Sequence, residues 1–173
     1  MNLTEVILNE GKVLTADAAL ESETFEMPFG SFPISKKSPV HLEIKNLGDR
    51  KLSIRGNVSV EVLIGCARCL EDVPTALELT FDLEADMKLS DEERIREMDE
   101  SPFLHGYNLD VDKLVYGEAL LNWPAQVLCK EDCKGLCVVC GQNLNQKTCN
   151  CDRTDFNPFM AKIRDIYLAN KEV

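Results

Sequence analysis

The sequence predicts an α+β protein, in which an antiparallel β-rich domain with a short helix precedes a cysteine-rich segment and a C-terminal helix. Two observations favour this fold class. Apolar and polar residues alternate between residues 40 and 83, the pattern of strands that bury one face. Six of the eight cysteines fall within residues 129–151. A length of 173 residues suits one domain with a small appendage.

The alternation predicts two successive β-hairpins. Apolar residues occupy every second position in 40–44, and after the turn sequence NLGDRK they do so again in 52–64. Gly56 interrupts this second strand, so we expect a bend or bulge there. The same alternation resumes in 77–83, which places the sequence CARC at the tip of the second hairpin. Residues 1–39 predict only short extended pieces joined by turns.

A strongly acidic stretch separates the strands from a predicted helix. Twelve acidic and four basic residues lie between Asp82 and Glu118, so we expect an acidic loop over about residues 86–108. Asp110 can cap a helix over about residues 110–122, whose apolar face, ending at Leu120 and Leu121, is expected to be core.

The composition changes again at Cys129. We therefore divide the chain into a β domain, residues 1–128, and a cysteine-rich tail, residues 129–173. Asn157 and Pro158 are a good cap and first-turn pair for a terminal helix within this tail.

The charge and hydropathy of the chain exclude several classes of protein. A formal net charge of −11 opposes non-specific binding to nucleic acid. No apolar run approaches the ~20 residues of a membrane-spanning helix. Glu5 and Glu10 stand where a secretory signal would be basic and then apolar. We expect a cytoplasmic protein without a membrane partner.

The cysteines predict metal binding, because a reducing compartment disfavours structural disulfides. Cys66 and Cys69 form one CxxC pair, and Cys137 and Cys140 form another. Such turns direct two sulfurs and several backbone amides towards one point, and Gly141 permits the positive φ that closes the second turn. Zinc accepts four sulfurs tetrahedrally, so one pair cannot complete a site alone.

Counting the remaining cysteines suggests how the two sites are completed. The preferred pairing gives two structural zinc ions, one held by Cys66, Cys69, Cys129 and Cys133 and the other by Cys137, Cys140, Cys149 and Cys151. The second site would hold together a segment too short to build a core of its own. Alternatively, the four cysteines of residues 129–140 form one contiguous site and the other four stay free.

Other cysteine chemistries fit the sequence less well. A redox CxxC belongs at the start of a helix, whereas CARC lies between strands, and the ferredoxin spacing of an iron–sulfur protein is absent. Catalytic zinc keeps an open position, usually beside histidine, but His41 and His105 lie far from the cysteines in sequence and are expected at the surface. With no nucleophile, phosphate-loop or metalloprotease motif, the sequence predicts neither an enzyme nor a small-molecule substrate.

One family shares these features. The run CARCLEDV, then VYGEALLNWPAQVLCKEDCKGLCVVCGQNLN and a CxC, resembles the YceD-like family of large ribosomal RNA subunit accumulation proteins over roughly residues 40–170. The resemblance implies a bacterial protein, with plastid relatives, that supports normal levels of large-subunit ribosomal RNA. It implies no catalytic residue. All eight cysteines match the cysteine-rich motif of the family.

The charge restricts how such a role could be performed. Each filled zinc site adds four thiolates and one divalent cation, which takes the formal charge from −11 to about −15. We therefore expect a basic ribosomal protein or a pre-ribosomal particle as partner, with the acidic loop as the contact. One alternative is direct RNA binding or processing, in which Lys130, Lys134, Lys147 and Arg153 touch ribosomal RNA. Another is a thiol redox or zinc-sensing regulator.

Overall fold

The computed structural model describes residues 1–88, 102–151 and 162, which form two compact units. The first unit comprises Met1–Ile64 and Pro74–Ala125, and the second comprises Gly65–Val73 with the described residues from Gln126 onward. The terminal helix expected after Asn157 lies outside the described residues. The division at residue 128 stays a prediction, and the structure groups the CARC segment with the later cysteines.

The first unit is built on an antiparallel sheet, as the alternation predicts. The strands are β1 Val13–Ala18, β2 Thr24–Met27, β3 Gly30–Lys37, β4 Val40–Gly48, β5 Lys51–Gly65 and β6 Asp72–Asp86. Their order in the sheet is β1-β4-β5-β3-β2, with β6 also paired to β5. The pairs β1–β4, β2–β3, β3–β5 and β4–β5 are antiparallel.

Two helices accompany this sheet. α1 is a single turn, Thr4–Ile7, which the sequence pattern did not predict, and α2 spans Val111–Leu121. As predicted, Asp110 caps α2, because its side chain accepts a hydrogen bond from the Lys113 amide at 3.0 Å. Within the described chain, neither helix has the length and apolarity needed to cross a membrane.

The core forms where the alternating side chains meet. In β4 every second residue is buried, and β5 follows the same two-residue period except at Gly56, which is half-buried. α2 adds Leu114 and Val115 to this core. The expectation that the apolar face of α2 continues to its end is wrong, since Leu120 and Leu121 are 39% and 80% exposed. Leu120 lies nine residues after Val111, and at about 100° per residue it falls on the opposite side of the helix. Leu121 is exposed because it is the last helical residue.

The structure corrects the expectation at Gly56. No bulge lies there, because Gly56 pairs in register with Leu42, and the register of β4–β5 shifts only between Asn46 and Gly48. A Cβ at Gly56 would lie 2.3 Å from the His41 carbonyl oxygen and 2.7 Å from the Phe81 ring. Glycine is required by this close packing rather than by a bend.

Strands occupy both ends of the range predicted as an acidic loop, and residues 89–101 of that range lie outside the described residues. β6 continues to Asp86, and two short strands, β7 Leu104–His105 and β8 Asn108–Leu109, pair within the far end of the stretch. Leu104 and Leu109 are buried, and the Leu109 amide donates to the Met1 carbonyl at 2.8 Å. These apolar residues anchor an end that the acidic composition alone suggests is loop.

Candidate metal centres

The structure brings the eight cysteines into two groups of four, the groups that the spacing favours. Cluster 1 contains Cys66, Cys69, Cys129 and Cys133, and cluster 2 contains Cys137, Cys140, Cys149 and Cys151. Within each cluster, all four sulfurs lie within 4.8 Å of one another. The contiguous alternative over residues 129–140 is not what the fold assembles. Each cluster can hold a metal ion.

The distances in cluster 1 fit a bound metal and exclude disulfides. The sulfurs of Cys66 and Cys133 are 3.8 Å apart, and those of Cys69 and Cys129 are 3.5 Å apart. A disulfide requires about 2.05 Å, whereas four sulfurs placed tetrahedrally at about 2.3 Å from a zinc ion are separated by about 3.8 Å. These two separations are therefore compatible with a tetrathiolate zinc site.

Each cluster is organised by a tight turn of the same design. We call Cys66–Glu71 knuckle 1 and residues 137–142 knuckle 2. In knuckle 1 the amide of the first cysteine donates to the carbonyl five residues on at 2.8 Å, and the amide four residues on donates back to the carbonyl of that cysteine at 2.9 Å. The corresponding distances in knuckle 2 are both 2.8 Å. The CxxC pattern thus folds into one recurrent backbone loop.

The knuckle backbones stabilise a thiolate on the first cysteine. Burial opposes ionisation of the Cys66 thiol, but backbone amides, including those of Arg68 and Cys69, donate to its sulfur and lower its pKa to about 6. The amides of Cys140 and Val139 lower the pKa of Cys137 to about 6 in the same way. In both knuckles the amides two and three positions after the first cysteine donate to its sulfur, and Cys66 accepts a further backbone amide from Cys129.

Three of the other cysteines, Cys69, Cys129 and Cys151, hold their protons more tightly. Burial raises the pKa of Cys129. The Cys151 thiol donates to the Cys140 sulfur, which raises the pKa of Cys151 to about 12. The backbone amide of Glu71 favours the Cys69 thiolate, yet burial and the neighbouring thiols outweigh it and raise the Cys69 pKa. Without a metal, each cluster therefore shares protons among its sulfurs, and a divalent cation would replace them.

Cluster 1 joins two parts of the chain that are far apart in sequence. The Ala67 amide donates to the Val127 carbonyl at 2.9 Å, and the Arg68 guanidinium donates to the Cys133 carbonyl at 2.9 Å. Three of its four cysteines are buried. Apolar side chains surround it, namely Val73, Leu128 and Leu136. The cluster replaces part of the apolar core that this unit lacks.

Cluster 2 is local and more open. Its ligands all come from residues 137–151, and only Cys137 is buried; Cys140 is exposed and the other two are half-buried. The difference in burial predicts that solvent and competing ligands reach cluster 2 more readily than cluster 1.

Neither predicted surface histidine takes part in these clusters. Both lie in the first unit. His41 is exposed and its Nδ1 lies 2.5 Å from an oxygen of Asp17, while His105 is exposed and contacts the Lys113 amine at 2.9 Å. In each cluster, four sulfurs are enough to complete the tetrahedral coordination of a zinc ion without a histidine.

Two residues that the sequence analysis missed contact the sulfurs of cluster 1. The side-chain amide of Asn145 donates to the Cys133 sulfur at 3.2 Å and is the leading cause of that thiol's lowered pKa. A carboxylate oxygen of Glu71 lies 3.7 Å from the Cys69 sulfur. The sequence offers one indication of the Asn145 contact. GQNLNQ, between Cys140 and Cys149, contains two asparagines, and asparagine favours turns and hydrogen bonds from its side chain to the backbone.

Comparisons with known proteins place this chain in a family. One curated relative, the "Large ribosomal RNA subunit accumulation protein YCED homolog 1, chloroplastic" of Arabidopsis thaliana, is 26% identical over 137 residues, which cover 61% of this chain and 41% of the relative. The chain therefore spans about two fifths of that relative's length. No solved structure matches. The sequence model of the family described as "Large ribosomal RNA subunit accumulation protein YceD" matches residues 54–166, and the chain belongs to this YceD family.

Proposed function

We propose that this protein is a non-enzymatic, zinc-binding factor in large ribosomal subunit biogenesis, which supports accumulation of large-subunit ribosomal RNA by binding a basic ribosomal protein or a pre-ribosomal particle. One observation carries the proposal: two four-sulfur clusters in a chain of the YceD family. Eight sulfurs in two closed sets suit structural zinc, which stabilises a fold and performs no chemistry.

The surface of the first unit gives further support for a basic partner. β6 carries exposed Glu78, Asp82 and Glu84, and its sequence contains no lysine or arginine. β6 runs into the acidic stretch, of which residues 89–101 lie outside the described residues. An acidic surface accelerates encounter with a basic protein through long-range attraction, and the attraction weakens as salt rises.

The polar cleft of the first unit favours a non-enzymatic role. It is a shallow, open depression whose lining includes Asp17, His41, Arg55 and Asp82. These groups are engaged with one another: His41 with Asp17 at 2.5 Å, and Arg55 with Asp82 at 3.0 Å. Ligand and active sites are usually concave pockets that bury most of a bound molecule, which this open cleft does not offer.

The test is affinity isolation from cells at low and high salt, using the full chain and a charge-neutralised variant. The variant changes Glu92, Glu93 and Glu97 of the acidic stretch to glutamine. We expect ribosomal proteins or pre-ribosomal particles to be recovered with the unaltered chain at low salt, and recovery to fall several-fold with the variant or at high salt.

A matched control separates the acidic stretch from overall charge. Changing Glu10, Glu21 and Glu43 to glutamine removes the same charge from exposed positions without a salt bridge in the described structure. This control should recover partners as the unaltered chain does. Failure of the unaltered chain to recover any ribosomal component at low salt would refute the proposed function.

Direct RNA contact is the competing outcome. Lys134 and Lys147 are exposed, and Lys130 pairs only distantly with Asp132 at 3.9 Å; Arg153 lies outside the described residues. If RNA crosslinks to the chain and the crosslink disappears when these four cations are replaced by glutamine, but persists in the acidic-stretch variant, the RNA-binding alternative replaces the protein-binding one.

A further inference from the structure

The loop that cluster 2 closes also supports cluster 1. Residues 141–148 lie between two ligands of cluster 2, Cys140 and Cys149. A metal bound by cluster 2 fixes both ends of this loop. The loop in turn reaches the ligands and the knuckle of cluster 1 through side chains that belong to neither cluster.

Asn145 makes the most direct contact. Its Nδ2 donates to the Cys133 sulfur at 3.2 Å, and its Oδ1 accepts from the Lys134 amide at 2.9 Å. The Asn145 amide donates to the side-chain oxygen of Asn143 at 2.9 Å, which orients the loop around it. A donor aimed at a ligating sulfur stabilises the thiolate and therefore strengthens metal binding.

Glu71 provides a second connection, at knuckle 1. One of its carboxylate oxygens accepts from Asn143 at 3.0 Å and from Gln146 at 2.8 Å, both in the loop. The carbonyl of Glu71 accepts the Cys66 amide at 2.8 Å, the bond that closes knuckle 1. The loop therefore holds both sides of cluster 1, the knuckle through Glu71 and the later pair of ligands through Asn145.

The backbone completes the connection. The Leu144 amide donates to the Gly135 carbonyl at 2.9 Å, and the Leu136 amide donates to the Arg68 carbonyl at 3.0 Å. Gly135 has φ +72°, and a Cβ there would lie 3.0 Å from the Arg68 carbonyl oxygen. This crowding leaves the segment between the clusters little freedom to move independently of either one.

We infer that the two clusters bind metal cooperatively, with Asn145 as the positioning residue that transmits the effect. The inference rests on the metal-binding part of the proposed function. When cluster 2 is filled, the loop is ordered and Asn145 is held against the Cys133 sulfur. When cluster 2 is empty, ordering Asn145 costs conformational entropy, so cluster 1 binds its ion more weakly. Binding linkage requires the effect to be reciprocal.

The first experiment measures the affinity of cluster 1 with cluster 2 disabled. In the full chain, Cys149→Ser with Cys151→Ser leaves one four-sulfur site, and competition with a chromophoric chelator gives its zinc dissociation constant. Adding Asn145→Ala to this variant should change the zinc dissociation constant of cluster 1 little, because loop 141–148 is already disordered when cluster 2 is empty. In the unaltered chain, by contrast, Asn145→Ala should weaken zinc binding at cluster 1 about 10-fold.

The reciprocal measurement and a matched control complete the test. Disabling cluster 1 with Cys129→Ser and Cys133→Ser should weaken zinc binding at cluster 2 about 10-fold. Disabling cluster 2 should weaken zinc binding at cluster 1 by the same factor. Asn57→Ala makes the same change at an exposed asparagine of the first unit and should leave both affinities unaltered. Equal affinities of cluster 1 with cluster 2 intact and disabled would overturn the inference.

A spectroscopic measurement keeps the test decisive if a serine variant does not fold. With cadmium-113 in place of zinc, the unaltered chain should give one resonance for each cluster. Asn145→Asp keeps the shape of the side chain and the acceptor for Lys134 but removes the donor to Cys133. It should shift the resonance of cluster 1 and lower the chelator concentration at which both resonances disappear. If the Asn145→Asp variant binds two ions and the resonance of cluster 1 does not shift, the inferred coupling is refuted but the proposed function is not. If the unaltered chain binds no metal, the proposed function is refuted as well.

Discussion

Leu70 and Gly141 occupy the same position in the two knuckles, and both have left-handed backbones. The Leu70 amide donates to the Cys66 carbonyl at 2.9 Å, and the Gly141 amide donates to the Cys137 carbonyl at 2.8 Å. Their φ angles are +62° and +73°. Glycine adopts this conformation freely, whereas leucine is strained in it. The strain at Leu70 has no compensating burial, because its side chain is 69% exposed.

Leu70→Gly should therefore stabilise the second unit. Relief of the left-handed strain, less the greater backbone entropy of glycine in the unfolded chain, leaves a gain of about 1 kcal/mol. Hydrogen exchange of the Cys66 and Leu70 amides measures it directly, and about fivefold slower exchange is expected. Leu70→Ala is the control, since it removes the side chain but keeps the strain. If alanine stabilises as much as glycine does, the exposed side chain and not the backbone is the unfavourable feature.

The converse substitution, Gly141→Ala, should destabilise knuckle 2 by about 1 kcal/mol. A Cβ at Gly141 meets no atom within 4 Å, so the cost is purely conformational. The expected result is about fivefold faster exchange of the Cys137 amide at saturating zinc, with cluster 1 amides less affected. An unchanged exchange rate would show that residue 141 does not need its positive φ.

Chelation should remove metal from cluster 2 before cluster 1. Cys140 is exposed and the other later ligands of cluster 2 are half-buried, whereas three ligands of cluster 1 are buried. Native mass spectrometry during a chelator titration should show two ions, then one, and cysteine alkylation at the one-ion stage should label Cys140 first. Exhaustive chelation should then disorder the second unit and leave the sheet of the first unit protected in hydrogen exchange. Early labelling of Cys66 would contradict this order.

The sheet and the cysteine groups were predictable from sequence because both follow from short-range patterns. A period of two fixes which residues of β4 and β5 face the core. The CxxC turns specify where pairs of sulfurs meet, and the count of eight favours two sites of four. The helix start was equally accessible, since the Asp110 cap depends only on its neighbours in sequence.

The remaining features depend on contacts between distant residues. Position 56 requires glycine because His41 and Phe81 pack closely against it. Neither contact can be inferred from the residues that flank Gly56 in sequence. Asn145 lies 12 residues from Cys133 in sequence, and its role follows from how the loop folds back. Leucine disfavours the left-handed conformation that Leu70 adopts, so its residue type does not predict the positive φ. The conformation follows from the turn that brings Cys66 and Cys69 together.

Gly56→Ala should destabilise the first unit strongly. The added Cβ would lie 2.3 Å from the His41 carbonyl oxygen, a backbone atom that cannot move without disturbing the β4–β5 pairing. We expect a loss of about 3 kcal/mol, at the upper end for overpacking. Urea unfolding followed by the fluorescence of Trp123, the single tryptophan, measures it. Gly65→Ala is the matched control in the same strand, because its Cβ would meet its nearest atom at 3.9 Å.

Glu118→Gln should stabilise the first unit increasingly as pH rises. Glu118 is 8% exposed, and burial raises the pKa of its carboxyl above 4.5. In the described structure its side chain has neither a hydrogen bond nor an ion pair to offset that burial. The folded state therefore binds the proton more tightly than the unfolded state does, so the contribution of Glu118 to stability is present at low pH and is lost as pH rises through its folded pKa.

Glutamine keeps the size of the Glu118 side chain without this ionisation. The stability difference between variant and unaltered chain, from urea unfolding at intervals between about pH 5 and pH 8, should grow with pH. Glu84→Gln removes a charge from an exposed position of β6 and should show no such growth; a parallel response of the two variants would mean that net charge, and not the burial of Glu118, sets the pH dependence.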